Sequence, residues 1–287
     1  MEYAEHYCYV EPDVRLHYID EGNGRPMLFV TGFGGSAQGF EHQIEYFKQW
    51  FRVIAVDPRN HGKSSYSMRG NTYAQQGRDI GKLIETLGLS HIILAGWSFG
   101  AYAALNYLEQ FGMERVDAYL TLDNPVCAVL EDPKEFRAGD LDMLREFHFR
   151  YFQSEEGFRE FVVRNFIDGI FFIHPPEEKA ERDKVLNSCL RLPLEVGDQL
   201  IVDGHLTDKR AVMKAVDEKL PCLFFVADYR KEEGLLCIPR DYPHSEVVTL
   251  GNHMMFYEFP EDFNRIVEDF LRRHGLWTGD CEDRREC

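Results

Sequence analysis

Apolar and polar positions alternate along residues 5–21, which predicts two antiparallel strands joined around Glu11-Pro12-Asp13. Residues 26–32 and 51–56 are continuous apolar runs with no polar face, so each predicts a strand buried on both sides. Between them, residues 36–51 read as one amphipathic helix. Residues 72–88 repeat apolar positions at helical spacing, with Leu83, Ile84 and Leu87 on one face. Residues 91–95 and 116–123 are again strand-like. Strands alternating with helices predict a parallel sheet covered on both faces.

The alternation stops after residue 123. Residues 129–216 read as helical and aromatic, with Phe147, Phe152, Phe158, Phe161, Phe166 and Phe171 among their rings and breaks around Gly157 and at Pro175-Pro176. The strand pattern resumes over residues 221–226 and 246–250, and a last helix is expected over 260–273. The expected fold class is α/β: a doubly wound, mostly parallel eight-stranded sheet with a helical cap inserted after the sixth strand. The expected domains are a core of residues 1–128 and 217–275, a cap of residues 129–216, and a disordered polar tail of residues 276–287. The insertion follows the C-terminal end of a strand, where ligand sites of open α/β sheets lie.

Chemistry concentrates at Gly96-Trp97-Ser98-Phe99-Gly100. These residues follow the apolar strand 91–95 and precede Ala101-Tyr102-Ala103-Ala104, which reads as a helix. A sharp strand-to-helix turn of this kind lifts a serine hydroxyl clear of the sheet. Glycines are needed there because side chains would collide with neighbouring backbone. The helix N-terminus aims its free N–H groups at the same spot and favours negative charge.

Composition narrows the partners. The 287 residues are 44% hydrophobic, enough for one large core. The net charge of −17, from 49 acidic and 32 basic residues, argues against nucleic acid or an anionic membrane. No apolar stretch reaches the length of a membrane span, and residues 1–6 do not resemble a signal peptide. Cys8, Cys127, Cys189, Cys222, Cys237, Cys281 and Cys287 are odd in number and scattered, which suits free thiols in a reducing cytoplasm. No metal-ligand spacing occurs, so neither metal nor cofactor is expected. The expected partner is a small-molecule substrate. The oligomeric state stays open, a homodimer included.

Four motifs together resemble the α/β-hydrolase superfamily, in the cap-bearing branch of esterases, lactonases and non-haem haloperoxidases, over residues 10–275. They are the turn at 96–100, Thr31-Gly32-Phe33-Gly34-Gly35, Asp57-Pro58-Arg59-Asn60-His61-Gly62-Lys63-Ser64, and Gly251-Asn252-His253. Asn60 stands where the family usually has glycine, and Thr31 where it usually has histidine.

Ser98 is the candidate nucleophile. His253 is the candidate base, because it follows a strand, lies in a loop and comes last in the order serine, acid, histidine. The resemblance places the acid most often in the loop after strand 221–226, but Arg230 occupies the aligned position. Two carboxylates remain: Asp123 at the end of strand 116–123, and Asp228 in the later loop. The backbone N–H groups of Phe33 and Phe99 are expected to form the oxyanion hole. Gly34, Trp97, Met254 and Phe256 are expected to line an apolar substrate pocket beside Ser98. The implied activity is hydrolysis of an ester, thioester or lactone of a small apolar or aromatic molecule through an acyl-enzyme. Ser98, Asp123 and Leu108-Glu109-Gln110 with Glu114-Arg115 also resemble cofactor-free ring-cleaving dioxygenases of the same fold, and a non-catalytic binding protein is the third reading.

Overall fold

A computed structural model describes residues 3–130, 132 and 134–279 of the chain. Eight strands form one sheet in the order β1-β2-β4-β3-β5-β6-β7-β8. They are β1 (His6–Glu11), β2 (Val14–Gly22), β3 (Pro26–Val30), β4 (Arg52–Val56), β5 (Ile92–Trp97), β6 (Val116–Leu122), β7 (Cys222–Val226) and β8 (Glu246–Thr249). β1 pairs antiparallel with β2, and β2 with β4; every later pairing is parallel. The alternating segment therefore forms the half-solvated antiparallel edge. The continuous apolar runs form the centre, where every residue of β3, β5 and β7 is buried.

Helices cover both faces. The single helix expected over residues 36–51 divides into a 3₁₀ turn, Ala37–Phe40, and α1 (Glu41–Phe47). The Asp57 carboxylate accepts the Ala37 N–H at 2.6 Å and closes that tight turn. α2 (Tyr73–Thr86) begins where Thr72 accepts the Gln75 N–H, at 3.1 Å, as a helix cap. α3 (Gly100–Phe111) follows β5 directly.

Between β6 and β7 the chain is helical, as its pattern predicts, but it starts later than residue 129. α4 (Leu141–Tyr151) and α5 (Glu155–Phe161) come first, and α5 runs on into a π-helical segment, Val162–Ile170. There the Phe171 N–H donates to the Phe166 carbonyl at 2.8 Å, one residue wider than an α-helix. α6 (Lys179–Cys189), α7 (Leu194–Leu206) and α8 (Arg210–Asp217) complete this insertion. α9 (Lys231–Asp241) lies between β7 and β8 and escaped the sequence reading, because Gly234 and Pro239 both look like breakers. Gly234 instead packs flat on Val226. α10 (Met255–Glu258) and α11 (Pro260–Arg273) close the chain onto the core.

The start of the tail expected to be disordered, residues 276–279, touches the core: Trp277 packs on Trp50 with ring centroids 5.0 Å apart, and the Thr278 hydroxyl donates to the Trp50 carbonyl at 2.6 Å. An indole and its apolar neighbours override a polar composition. The rest of that expectation falls on residues 280–287, outside those described. No helix of the described residues is long and apolar enough to cross a membrane. Cys8, Cys127, Cys189, Cys222 and Cys237 are free and buried.

One buried ion pair locks the loop after β4 to α2. Arg59 donates to both oxygens of Asp79 at 2.7 Å and to Glu11 at 2.8 Å. Arg59 and Asp79 are 1% and 2% exposed. Removing one partner of a buried pair strands the other charge. Asp79→Ala is expected to lower stability by about 3 kcal/mol, the low end of the range for such pairs because Glu11 remains. Urea unfolding followed by circular dichroism measures it.

Candidate active site

β5 ends in a turn whose geometry is unusual for its residue. Ser98 has φ of 52°, in the left-handed region that only glycine enters freely. Its N–H is held by the Leu122 carbonyl at 2.9 Å, and its carbonyl accepts the Ala101 N–H at 2.9 Å. The flanking glycines permit the turn. A Cβ on Gly96 would lie 2.5 Å from the Ala101 Cα, and one on Gly100 would lie 2.5 Å from the Val30 and Thr31 carbonyl oxygens. Asp123, just past the end of β6, also has positive φ, 48°. Backbone strain of this kind costs roughly 1–3 kcal/mol per residue and collects at functional sites.

Asp123 is fully buried and its carboxylate is saturated. Oδ2 lies 2.5 Å from His253 Nδ1 and accepts the Tyr229 hydroxyl at 2.9 Å. Oδ1 accepts the Ala227 N–H at 3.0 Å. The Arg230 guanidinium approaches Oδ2 to 3.6 Å and donates to the Tyr229 oxygen at 2.7 Å. Burial alone would push this carboxyl up, but the Arg230 charge, the His253 bond and the Ala227 N–H outweigh it. They hold Asp123 well below the usual carboxylate range. Since a carboxylate only accepts, the proton between the pair sits on His253 Nδ1, and Nε2 is left bare.

His253 lies in the loop between β8 and α10. Its ring stacks on Phe171 at 5.9 Å and leans on Trp97 at 5.4 Å. Its carbonyl accepts the Trp97 indole N–H at 2.8 Å. Its own N–H donates to the Ile170 carbonyl at 3.0 Å, and the Met254 N–H donates to the Phe171 carbonyl at 2.9 Å. The end of the π-helical segment thus fixes the histidine loop.

Ser98 and His253 face one cavity of about 380 Å³, together with Phe33, Phe99, Phe166 and Ile201. The N–H groups of Phe33 and Phe99 find no acceptor among the described residues. The structure thus brings together Ser98, His253, Asp123, Phe33 and Phe99. It does not bring Asp228 to them: that side chain points to solvent, while the next residue, Tyr229, reaches in.

A second expectation is corrected. Gly34, Trp97, Met254 and Phe256 do not line the Ser98 cavity; they line a separate one of about 610 Å³ behind it. Both pairs sit at turns, with Gly34 at φ 68° and Ser98 at φ 52°, so the chain changes direction between neighbours and the two residues of each pair meet different cavities.

Other residues in the Ser98 cavity escaped the sequence reading. His205, on α7, is 6% exposed; its Nδ1 is engaged by the Ile201 carbonyl at 2.8 Å, and burial pushes its pKa down. Asn165, on the π-helical segment, also lines the cavity. Arg230 was legible only as a missing acid, not as the charge that supports one.

Comparison with known proteins agrees with this fold. A family model described as the alpha/beta hydrolase fold matches residues 25–155. "AB hydrolase superfamily protein YisY" of Bacillus subtilis (strain 168) is 28% identical over 283 residues, covering 92% of this chain and 98% of that one. Residues 25–155 thus match that family's model, and the chain as a whole has the α/β-hydrolase fold. Among solved structures of that fold, a bromoperoxidase from Bacillus anthracis superposes with a TM-score of 0.83 at 20% identity, covering 94% of this chain and all of that one. An esterase from Exiguobacterium antarcticum gives 0.77 at 20% identity, covering 90% and 96%. The chain spans only about a third of several other curated relatives, epoxide hydrolases and a haloperoxidase among them.

The environment of Asp123 sets a pH signature. Its folded-state pKa is depressed, so the stability it contributes is present above the ordinary carboxylate value of about 3.9 and is lost as pH falls below it. Arg230→Gln removes the main charge holding the pKa down. This variant is expected to lose about 3 kcal/mol near pH 7, and its gap to the wild type should narrow below about pH 4. Urea midpoints measured from pH 3 to 8 report both.

Proposed function

We propose that this protein is a serine hydrolase that cleaves an ester, thioester or lactone of a small apolar or aromatic molecule through an acyl-enzyme. One observation carries the reading: a buried Asp123–His253 pair with a 2.5 Å bond, facing the same cavity as a serine on a strained strand-to-helix turn. A serine hydroxyl is a weak nucleophile until a base takes its proton. Asp123 holds the imidazole in the tautomer whose Nε2 can accept.

The sequence of events follows from those groups. Ser98 Oγ attacks the carbonyl carbon while its proton passes to His253 Nε2. The carbonyl π electrons move onto oxygen, and the N–H groups of Phe33 and Phe99 are the donors available to that oxyanion. Collapse of the tetrahedral intermediate breaks the bond to the leaving alcohol or thiol, which takes the proton from His253. Water then attacks the acyl-enzyme, giving its proton to His253, and the acid leaves as Ser98 recovers its proton. The N-terminus of α3 points its dipole at the same centre. The Phe166, Phe33 and Ile201 walls favour an apolar acyl or ring-bearing group. The esterase of the same fold is consistent with this chemistry.

Two variants test the reading with a fluorophosphonate probe and p-nitrophenyl butyrate. The wild type is expected to take one equivalent of probe, and Ser98→Ala none, with turnover reduced on the order of 10⁶-fold. Asp123→Asn is expected to keep the fold and to lose turnover by about 10⁴-fold. A wild type that neither labels nor hydrolyses short esters overturns the proposal.

A further inference from the structure

The chain segments that build the Ser98 cavity also wall the larger one behind it. Phe33, Ser98, Ile170 and His253 face the first cavity, and their immediate neighbours Gly34, Trp97, Phe171 and Met254 face the second. The partition is one residue thick. The second cavity lies between this wall, α6 and the loop around the 3₁₀ turn, and its volume of about 610 Å³ is that of a small-ligand site.

Its chemistry is mixed in a specific way. Trp97, Phe171, Met254 and Phe256 supply an apolar, largely aromatic side. His17 also lines it and is 4% exposed. His17 Nδ1 lies 2.7 Å from Asp57 Oδ2. The Asp57 carboxylate already accepts the Ala37 N–H at 2.6 Å and the Lys63 N–H at 2.8 Å. It can only accept from the ring as well, so Nδ1 carries the proton and, in the neutral ring, Nε2 is an acceptor. No group among the described residues donates to Nε2. An acceptor without a donor, on a ring that lines a cavity, can take an O–H or N–H from a ligand. Charges also line the cavity. Lys63 is paired with Glu5 and Lys184 with Glu41. Arg191 has no carboxylate within reach among the described residues; its guanidinium lies over the Tyr66 ring, 5.6 Å from the centroid.

We propose that this cavity is a second ligand site, separate from the Ser98 cavity, for an aromatic anion that carries an O–H or N–H donor. The rings pack on Trp97 and Phe171, the donor meets His17 Nε2, and the acid group meets Arg191. None of this depends on covalent chemistry at Ser98.

The probe 8-anilinonaphthalene-1-sulfonate has two ring systems, one N–H and one sulfonate, and its fluorescence reads binding without turnover. The full-length wild type is expected to bind it at a single saturable site. Two substitutions on separate elements fill the second cavity: Val185→Trp on α6, and Gly39→Phe, where a Cβ meets nothing within 4 Å. Each folded filler is expected to weaken binding at least roughly tenfold, a loss of about 1.4 kcal/mol, and Arg191→Gln several-fold. Ile201→Trp fills only the Ser98 cavity and is expected to leave the affinity within about twofold. Circular dichroism confirms the fold of each variant. No saturable site in the wild type, equal loss in all variants, or loss confined to Ile201→Trp overturns the proposal. Failure of the hydrolase reading leaves this outcome untouched, because no step of the titration uses Ser98.

Discussion

The bond between Asp123 and His253 joins residues 130 positions apart, and the rest of the site is arranged around it. A charge at full burial is tolerated only when other groups satisfy it. Here the segment after β7 supplies the Ala227 amide, Tyr229 and Arg230, and the loop after β8 supplies the imidazole. The carboxylate therefore ties the ends of three strands together above the sheet. Left-handed residues stand just past the ends of two neighbouring strands, Asp123 after β6 and Ser98 after β5.

Arg230 shows how a departure from a family pattern can be compensated. A carboxylate is common in this loop, and an arginine cannot replace it as an acceptor. Here the buried carboxylate stands just past the end of β6, and the loop takes the opposite job. Arg230 faces the carboxylate instead of supplying one, and Tyr229 bridges the two by accepting from the guanidinium and donating to Asp123. Sign and position change together, and the local charge balance is kept.

The sheet was legible because its signal is periodic and local. Continuous apolar runs marked β3 to β7, and alternation marked the antiparallel edge. Ser98 and His253 were legible from their strand-loop context, and Asp123 as one of two carboxylates. What stayed hidden depends on tertiary placement. Gly234 and Pro239 disguised α9, and Trp277 anchors a segment whose neighbours are polar. His205 and Asn165 lie on insertion helices with no motif around them, so nothing local marks them as facing Ser98. The sidedness of Trp97 and Met254 follows from backbone direction at two turns, which periodicity does not encode.

The π-helical segment carries a constraint on how this chain can vary. Its wide turn ends with the Ile170 and Phe171 carbonyls accepting the N–H groups of His253 and Met254. Deleting one residue between Phe166 and Phe171 would restore an ordinary α-helical turn and rotate everything after it by about 100°. The two carbonyls would then face away from the histidine loop. Side chains along the insertion are free to diversify with the shape of the cavity, but its length at this point is not. Exchanging a side chain here alters the wall of the pocket and leaves the two carbonyls in place, whereas removing a residue moves both.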